Sequence, residues 1–443
     1  MERWKQVLLA GLCVLCSSVA RAEVDFTQGG MLQLEHEYWK NLFDHTNDTK
    51  DNQNLFRIKS SLWGNIAIKD PGVADTLAFY VRLTNEIKTY PYYAALDKPN
   101  GDKNMRGDIN EVVFDNLYLD AKGVLGLPLD VRLGRQDLAM EYGEGFLIMD
   151  GQPLTTGRTY YFNAAKFVYH LAEKRQVDVL YIHDNRDDDY LPIINENSPP
   201  TSLNTSDEEA WAVYYKDSTI KDLDIEKYYI YKQEEAGGAG FQALGTELST
   251  VGAFARYTMP AVTFRGQFAY QFGDYGDNDR QGYGGYFFAD KAFNDVAFKP
   301  AVSAGYVHLS GNDPDSSKME AWDPLFSRWP WMSELVAYSY LTESGAGYWT
   351  NLGLWRVEAS LSPFEKTRVT LRYNYLKANE VFSGSDFGFE KNRGTLYQAI
   401  LNQAISKNMS LDVTGEFFLP GDFYAEGHRT ETVFVSTALR VSF

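Results

Sequence analysis

The sequence predicts an all-β fold, a transmembrane antiparallel up-and-down β-barrel of about 18 strands with short periplasmic turns and long extracellular loops. Three features predict it. Apolar and polar residues alternate with period two along most of the chain, the mark of strands with one oily and one wet face. Tight turns alternate with long polar stretches, and the last strand ends on an aromatic residue, Phe443.

The strands come first. Phe56, Ile58, Leu62, Ile66 and Ile68 alternate with Arg57, Lys59, Ser61, Trp63 and Asn65. Leu77, Phe79, Val81, Leu83 and Ile87 alternate with Tyr80, Arg82, Thr84, Glu86 and Lys88. Val262, Phe264, Phe268, Tyr270 and Phe272 alternate with Thr263, Arg265, Gln267 and Gln271, and the pattern recurs at 355–361, 369–375 and 411–419. Strands of a soluble sandwich usually run ~5–6 residues. These run nearer ~10–13, enough to cross a bilayer at a tilt.

The connections follow. Asp70-Pro71-Gly72, Gly126-Leu127-Pro128, Glu173-Lys174-Arg175, Met259-Pro260, Ser362-Pro363 and Lys407-Asn408 are turn chemistry. Between them lie the polar stretches 41–55, 90–109, 139–163, 185–208, 310–348 and 379–392. Short turns on one side and long loops on the other leave both termini at the periplasmic end of an even-stranded barrel.

The two ends of the chain carry addressing signals. Arg3 and Lys5 precede the apolar run Val7–Cys16, and Ala20-Arg21-Ala22 offers a small-x-small cleavage site. Residues 1–22 are therefore expected to be an export signal, with the barrel domain spanning 23–443. Cys13 and Cys16 leave with it, so disulfides and thiolate metal sites are not expected in the mature chain. At the other end Val433, Val435, Leu439, Val441 and Phe443 alternate with Ser436, Arg440 and Ser442. This resembles the aromatic-ended terminal strand by which outer-membrane proteins are recognised for insertion, so the outer membrane of a Gram-negative bacterium is the expected location. Tyr270, Tyr373, Tyr375 and Trp355, on outward positions, are candidates for the aromatic girdles. Ordinary core aromatics would need a second layer, which the pattern does not supply.

Charge sets the expected partners. The 443-residue chain carries a net charge of −18, and removing Arg3, Lys5, Arg21 and Glu2 takes away a net +2, leaving −18 − 2 = −20. Such an acidic chain is not expected to bind nucleic acid. In the seven cleanest strands, however, the inward basic residues are Arg57, Lys59, Arg82, Lys88, Arg265, Arg356, Arg368, Arg372 and Arg440, against the acids Glu86, Glu358, Asp412 and Glu416. Glu35, Glu37, Asp120, Asp224 and Glu226, on less regular strands, also have inward positions open to them. A basic passage inside an acidic protein favours anions.

The acid excess falls in the outer loops, at Asp184 with Asp187–Asp189, at Asp274, Asp277 and Asp279, and at Asp313 with Asp315. Solvated loop acids are the ordinary explanation, and divalent cations bridging to lipopolysaccharide are the sharper one. No phosphate-cradling loop is present, and no cofactor is expected. With Leu129, Val131 and Leu133 outward, Arg132 points inward but Arg135 would face lipid, at a cost of ~2–4 kcal/mol near the midplane. A bulge at Gly134 is expected to return Arg135 and Asp137 to the lumen.

Around Arg135 the chain also resembles a known family. Leu133-Gly134-Arg135-Gln136-Asp137, Tyr142-Gly143-Glu144-Gly145-Phe146 and Gly157-Arg158-Thr159-Tyr160-Tyr161-Phe162 are similar to segments of the alginate export family of outer-membrane barrels. Trp322-Asp323-Pro324-Leu325-Phe326, Trp329-Pro330, Ser333-Glu334 and Tyr348-Trp349-Thr350-Asn351-Leu352 continue the likeness. The resemblance implies an eighteen-stranded monomeric barrel that passes an anionic polysaccharide outward through an Arg-rich constriction; an exporter would also need a periplasmic partner to deliver polymer. It assigns constriction roles to Arg135 and Arg158.

The expected function is thus a channel for an anionic solute, with export of a uronate-type polysaccharide as the sharper form. The loop 310–348, with Trp322, Phe326, Trp329 and Trp331, is long enough to fold inward or cover the mouth. A general porin for small organic anions or oligosaccharides shares every feature except the family segments. A barrel hydrolase or an adhesin is the remaining class. The six histidines His36, His45, His170, His183, His308 and His428 show no recognisable catalytic spacing.

Overall fold

The computed structural model describes residues 23–41, 45–47, 52–93, 107–108, 112–138, 140–149, 161–194, 206–237, 244–327, 332–335, 350–381 and 390–443. The expected export signal, residues 1–22, lies outside the described residues.

One 19-stranded antiparallel sheet forms the molecule. Its first members are β1 (Val24–Lys40), β2 (Gln53–Lys69), β3 (Thr76–Tyr93), β4 (Gly107–Asp108), β5 (Val112–Lys122) and β6 (Leu129–Gln136). Next come β7 (Phe162–Ala172), β8 (Arg175–Asp184), β9 (Glu208–Asp217), β10 (Leu223–Glu234), β11 (Thr246–Thr258), β12 (Thr263–Tyr275) and β13 (Asn278–Ala292). The wall ends with β14 (Ala301–Leu309), β15 (Leu352–Phe364), β16 (Thr367–Lys377), β17 (Asn392–Ser406), β18 (Met409–Pro420) and β19 (Thr432–Ser442). Because β4 and β5 both pair with β3, they are two parts of one stave, and the ring counts 18.

The ring closes where β1 pairs with β19, from Met31 opposite Ser442 to Lys40 opposite Val433. Closure follows from the solvent, since an open edge in hydrocarbon leaves N–H and C=O groups unsatisfied at several kcal/mol each. Beyond the last ladder pair, the Phe443 N–H donates to the Gly30 carbonyl at 3.0 Å and the Gly30 N–H donates to the Phe443 carbonyl at 2.8 Å. A Cβ on Gly30 would lie 2.5 Å from the Phe443 ring. Glycine at this position lets the ring settle on the seam.

Side-chain burial runs opposite to that of a soluble sheet. On β2 the apolar Phe56, Ile58, Leu62 and Ile66 are exposed, whereas Arg57, Lys59 and Ser61 are buried. The oily face therefore points out and the polar face in. Trp355, Tyr270 and Tyr373 lie exposed on the outer face, with Tyr375 half-buried beside them.

Two connections differ from the sequence reading. Ser362 and Pro363 sit in a register shift at the end of β15, and the turn itself is Glu365–Lys366. Proline cannot donate to the ladder, so a shift is where it fits. On the long-loop side, β12 and β13 are joined by Gly276 and Asp277 alone.

The larger difference is inside. The alternation gave no sign of a second layer, but the structure has one. Tyr142, Phe146, Leu147 and Ile148 from one outer connection, and Trp322, Leu325, Phe326, Met332 and Leu335 from another, pack against inward residues such as Ile182, Ile230, Leu248, Tyr286, Leu309 and Leu354. Strands β8 to β18 thus present apolar residues to the interior where the loops cover them. The loop 310–348 does fold inward over its described residues, and its Trp329 and Trp331 lie outside them.

Gly30→Leu is expected to leave most of the protein at its unfolded electrophoretic mobility after refolding into detergent, because the added side chain collides with the seam. A wild-type fraction of the fast, heat-sensitive band would contradict this account of closure.

Candidate functional site

The interior surface that the loops leave uncovered is the candidate site. Its first sector is built by β1, β2, β3, β5 and β6. Arg57 is buried among three carboxylates, with Nη1 at 3.0 Å from Glu35 and 2.6 Å from Glu37, and Nε at 2.9 Å from Glu86. Arg82 reaches Asp115 at 2.9 Å and Asp137 at 2.7 Å. Asp115 is the extra residue where the β3–β5 register shifts, which turns its carboxylate inward to Arg82 and to the Thr84 hydroxyl, 2.7 Å away. Lys59 is buried beside this cluster and makes no hydrogen bond or ion pair among the described residues. Arg132 pairs with Asp120 at 2.9 Å and lies 4.5 Å over the Tyr118 ring.

The second sector is organised by the tip of an inward-folded connection. Glu141 accepts an ion pair from Lys166, and its carbonyl accepts from Lys216 at 3.0 Å. Glu144 holds Arg256, and it holds Arg265 at 2.6 Å. Asp290 takes the other side of Arg265 at 2.8 Å. Between the two acids, the Tyr142 hydroxyl donates to Asp178 at 3.1 Å. Burial, reinforced by Asp178, raises that phenol well above its ordinary range, so it stays a donor.

This tip joins the other loop directly. The Phe146 ring stacks on Trp322 at 5.2 Å, the Phe326 N–H donates to the Leu147 carbonyl at 3.0 Å, and the Ser327 hydroxyl donates to the Gly145 carbonyl at 2.6 Å. Asp323 is fixed by a buried ion pair to Arg280 at 3.0 Å, and the Leu325 carbonyl accepts from Lys232 at 3.1 Å. The sequence segments around Gly143 and Asp323, distant in the chain, therefore form one inner unit.

The third sector lies on β15 to β18. Arg372 reaches Glu358 at 2.5 Å. Arg356 donates to Asn374 at 2.6 Å, to the Met332 carbonyl at 2.9 Å and to Gln398 at 3.2 Å. Glu416 accepts the backbone N–H groups of Glu334 and Leu335 at 3.1 and 3.0 Å, which pins the second loop.

These contacts revise the expected basic lumen. Arg57, Arg82, Arg132, Arg265 and Arg372 line the interior but are each tethered to a carboxylate. The acids missing from the regular strands come from β1, from the shifted register at Asp115, and from the loop residues Asp137 and Glu144. The wall is a set of oriented ion pairs rather than a uniformly cationic surface.

Arg135 is the clearest correction. The β5–β6 and β6–β7 registers run unbroken through Gly134, so no bulge forms there. Gly134 instead has φ +123°, and a Cβ on it would lie 2.3 Å from the Leu117 carbonyl oxygen. Arg135 reaches neither lipid nor the open passage. It is buried against Asp188 at 2.7 Å, donates from Nε to Asn163 Oδ1 at 3.1 Å, and lies 3.8 Å over the Tyr161 ring. Asp188 belongs to the connection after β8, which crosses to bridge Ile194 with Val112 of β5. That crossing covers the outer ends of the short β6 and of β7. It also divides the first predicted acid cluster, since Asp184 accepts the Asn163 N–H at 2.9 Å while Asp188 serves Arg135. Arg158 lies outside the described residues.

The alginate export family model matches residues 25–435. The chain belongs to the alginate export family. It is an outer-membrane channel protein, and no curated protein matches it. Among solved structures it is similar to OccAB4 of Acinetobacter baumannii, with 11% identity, a TM-score of 0.59, and 96% of this chain and 99% of that one covered. OccAB1 of the same organism gives 10%, 0.59, and 95% and 96%. Pseudomonas aeruginosa OpdO gives 12%, 0.56, and 95% and 97%. These likenesses show the shared barrel fold.

Two variants test the interior. Arg135→Ala leaves Asp188 buried without its cation and is expected to cost about 3–5 kcal/mol in urea unfolding; an unchanged midpoint would contradict the pairing. Glu144→Gln releases Arg256 and Arg265 from their shared acid and is expected to move the reversal potential toward anions; a shift toward cations would contradict the placement of Glu144.

Proposed function

We propose that this family member carries an anionic, uronate-type polysaccharide across the outer membrane along its tethered guanidiniums. The observation that carries the reading is the state of Arg82, Arg132, Arg265 and Arg372. Each is partly exposed to the interior and held by one carboxylate (Arg132, Arg372) or by two (Arg82, Arg265). A guanidinium has five N–H donors in a rigid fork. Arg372 commits Nε to Glu358, and Arg132 commits Nη2 to Asp120. The uncommitted donors are available to a passing carboxylate.

The tether has a kinetic use. A bare arginine would grip a polyanion bidentately and hold it, whereas conduction needs sites strong enough to recruit and weak enough to release. A resident acid orients the fork and weakens its hold. The inward loops bring solute close to the wall, so the pairs act at short range. Delivery of polymer to the periplasmic mouth requires a periplasmic partner, and the exposed apolar face is matched to lipid and lipopolysaccharide.

A narrower reading, a porin for small organic anions, draws on the same inner loops, since they occupy part of the cross-section. Chain length separates the two. In planar bilayers the export reading expects anion selectivity, with block by uronate oligomers that strengthens as the oligomer lengthens. Arg82→Ala and Arg372→Ala are expected to lower both selectivity and block. Cation selectivity without block would overturn the proposal, and block independent of length would favour the small-anion porin.

A further inference from the structure

Four consecutive staves carry a row of side chains that the ion pairs and the packed loops leave largely unused. Trp63 of β2 stacks on Tyr80 of β3 with centroids 6.0 Å apart and planes 21° apart. Tyr80 stacks on Tyr118 of β5 at 4.9 Å and 17°, and Arg132 of β6 covers the far face of the row, 4.5 Å over Tyr118. The strand alternation places all four inside, because their chain neighbours Leu62, Phe79, Leu119 and Leu133 are exposed on the lipid face. The row lies toward the ends of these strands that meet the short turns, the periplasmic side.

The stacking decides what the row can bind. Each ring covers its neighbour's face, so no sugar ring is stacked between them; edges and tips meet the passage instead. Neither phenol hydroxyl nor the Trp63 N–H has a hydrogen-bond partner among the described residues. Arg132 is held by Asp120 through Nη2 at 2.9 Å, while its Nη1 has no hydrogen-bond partner among the described residues. Unpartnered polar groups on otherwise immobilised side chains are prepared for a ligand, since little rotamer freedom remains to be lost. A phenol both donates and accepts, as does a saccharide hydroxyl, and a guanidinium adds a carboxylate contact.

We infer that Trp63, Tyr80, Tyr118 and Arg132 form a saccharide-binding step at the periplasmic half of the lumen, its hydroxyls read by the phenols and its carboxylate by Arg132. The carboxylate part rests on the anionic-solute reading above; the hydroxyl part does not.

The test uses the refolded full-length channel in planar bilayers, with a uronate oligosaccharide and a neutral maltooligosaccharide as probes, reading residence time from current blockade. Tyr80→Phe with Tyr118→Phe keeps the ring stack and removes both hydroxyls. Residence of the uronate probe is expected to fall about tenfold, as the loss of two ordinary hydrogen bonds predicts. Arg132→Gln is expected to shorten uronate residence several-fold and leave any maltooligosaccharide events unchanged. Heat-sensitive mobility of each variant checks folding. Unchanged uronate residence in the double variant overturns the binding step while leaving the anionic reading in place. Blockade of wild type by the neutral probe alone, lost in the double variant, supports the step and overturns the anionic reading. Blockade by neither probe overturns the step.

Discussion

A protein wall in hydrocarbon cannot leave a backbone donor or acceptor unpaired, and the rest of this molecule follows from that constraint. It forces the sheet to close through β1 and β19, and closure fixes which side chains meet lipid and which meet one another across an enclosed space. Enclosure then creates a second demand. Guanidiniums and carboxylates turned inward are partly withdrawn from water, so each needs a counter-charge or hydrogen-bond partners near by. Arg57 finds three, Arg82 finds two, and Arg265 finds one on the wall and one on a loop.

The interior solves this unevenly. Along β8 to β18 many inward positions are apolar and are covered by two folded-in connections, giving a dry packed side. Along β1 to β6 and at Arg265 and Arg372 the wall is ionic and partly exposed. The two loops are joined through Phe146 on Trp322 and Phe326 on Leu147, so they behave as one inner wall rather than as separate flaps. The family likeness lies largely in the segments that build this unit. Their chemistry is explained by packing and tethering: Glu144 clamps cations, Asp323 holds Arg280, and Tyr142 and Phe146 fill space.

Much of the barrel was legible in the sequence because period two is dictated by the pleat and needs no long-range information. The strand count, the tight turns and the outward apolar set were read on that basis. The inner layer was not legible, because residues such as Ile230 and Leu354 alternate in the same phase as a polar lining would, and what covers them comes from loops far along the chain. Arg135 shows the limit most clearly. Its position in the alternation is outward, and only the crossing of the connection after β8 brings Asp188 over it. Inward acids were undercounted for a related reason: Asp115 owes its direction to a register shift and Glu144 to a folded loop, neither of which periodicity reveals.

The central claim is that one enclosed space has dry, loop-covered parts and wet, ion-paired parts. Single cysteines, introduced with Cys13→Ser and Cys16→Ser, measure this directly when treated with a charged thiol reagent in intact proteoliposomes. Arg372→Cys and Arg82→Cys are expected to react readily, whereas Ile230→Cys and Leu354→Cys stay protected until the protein is unfolded. Equal labelling of all four positions would contradict the division.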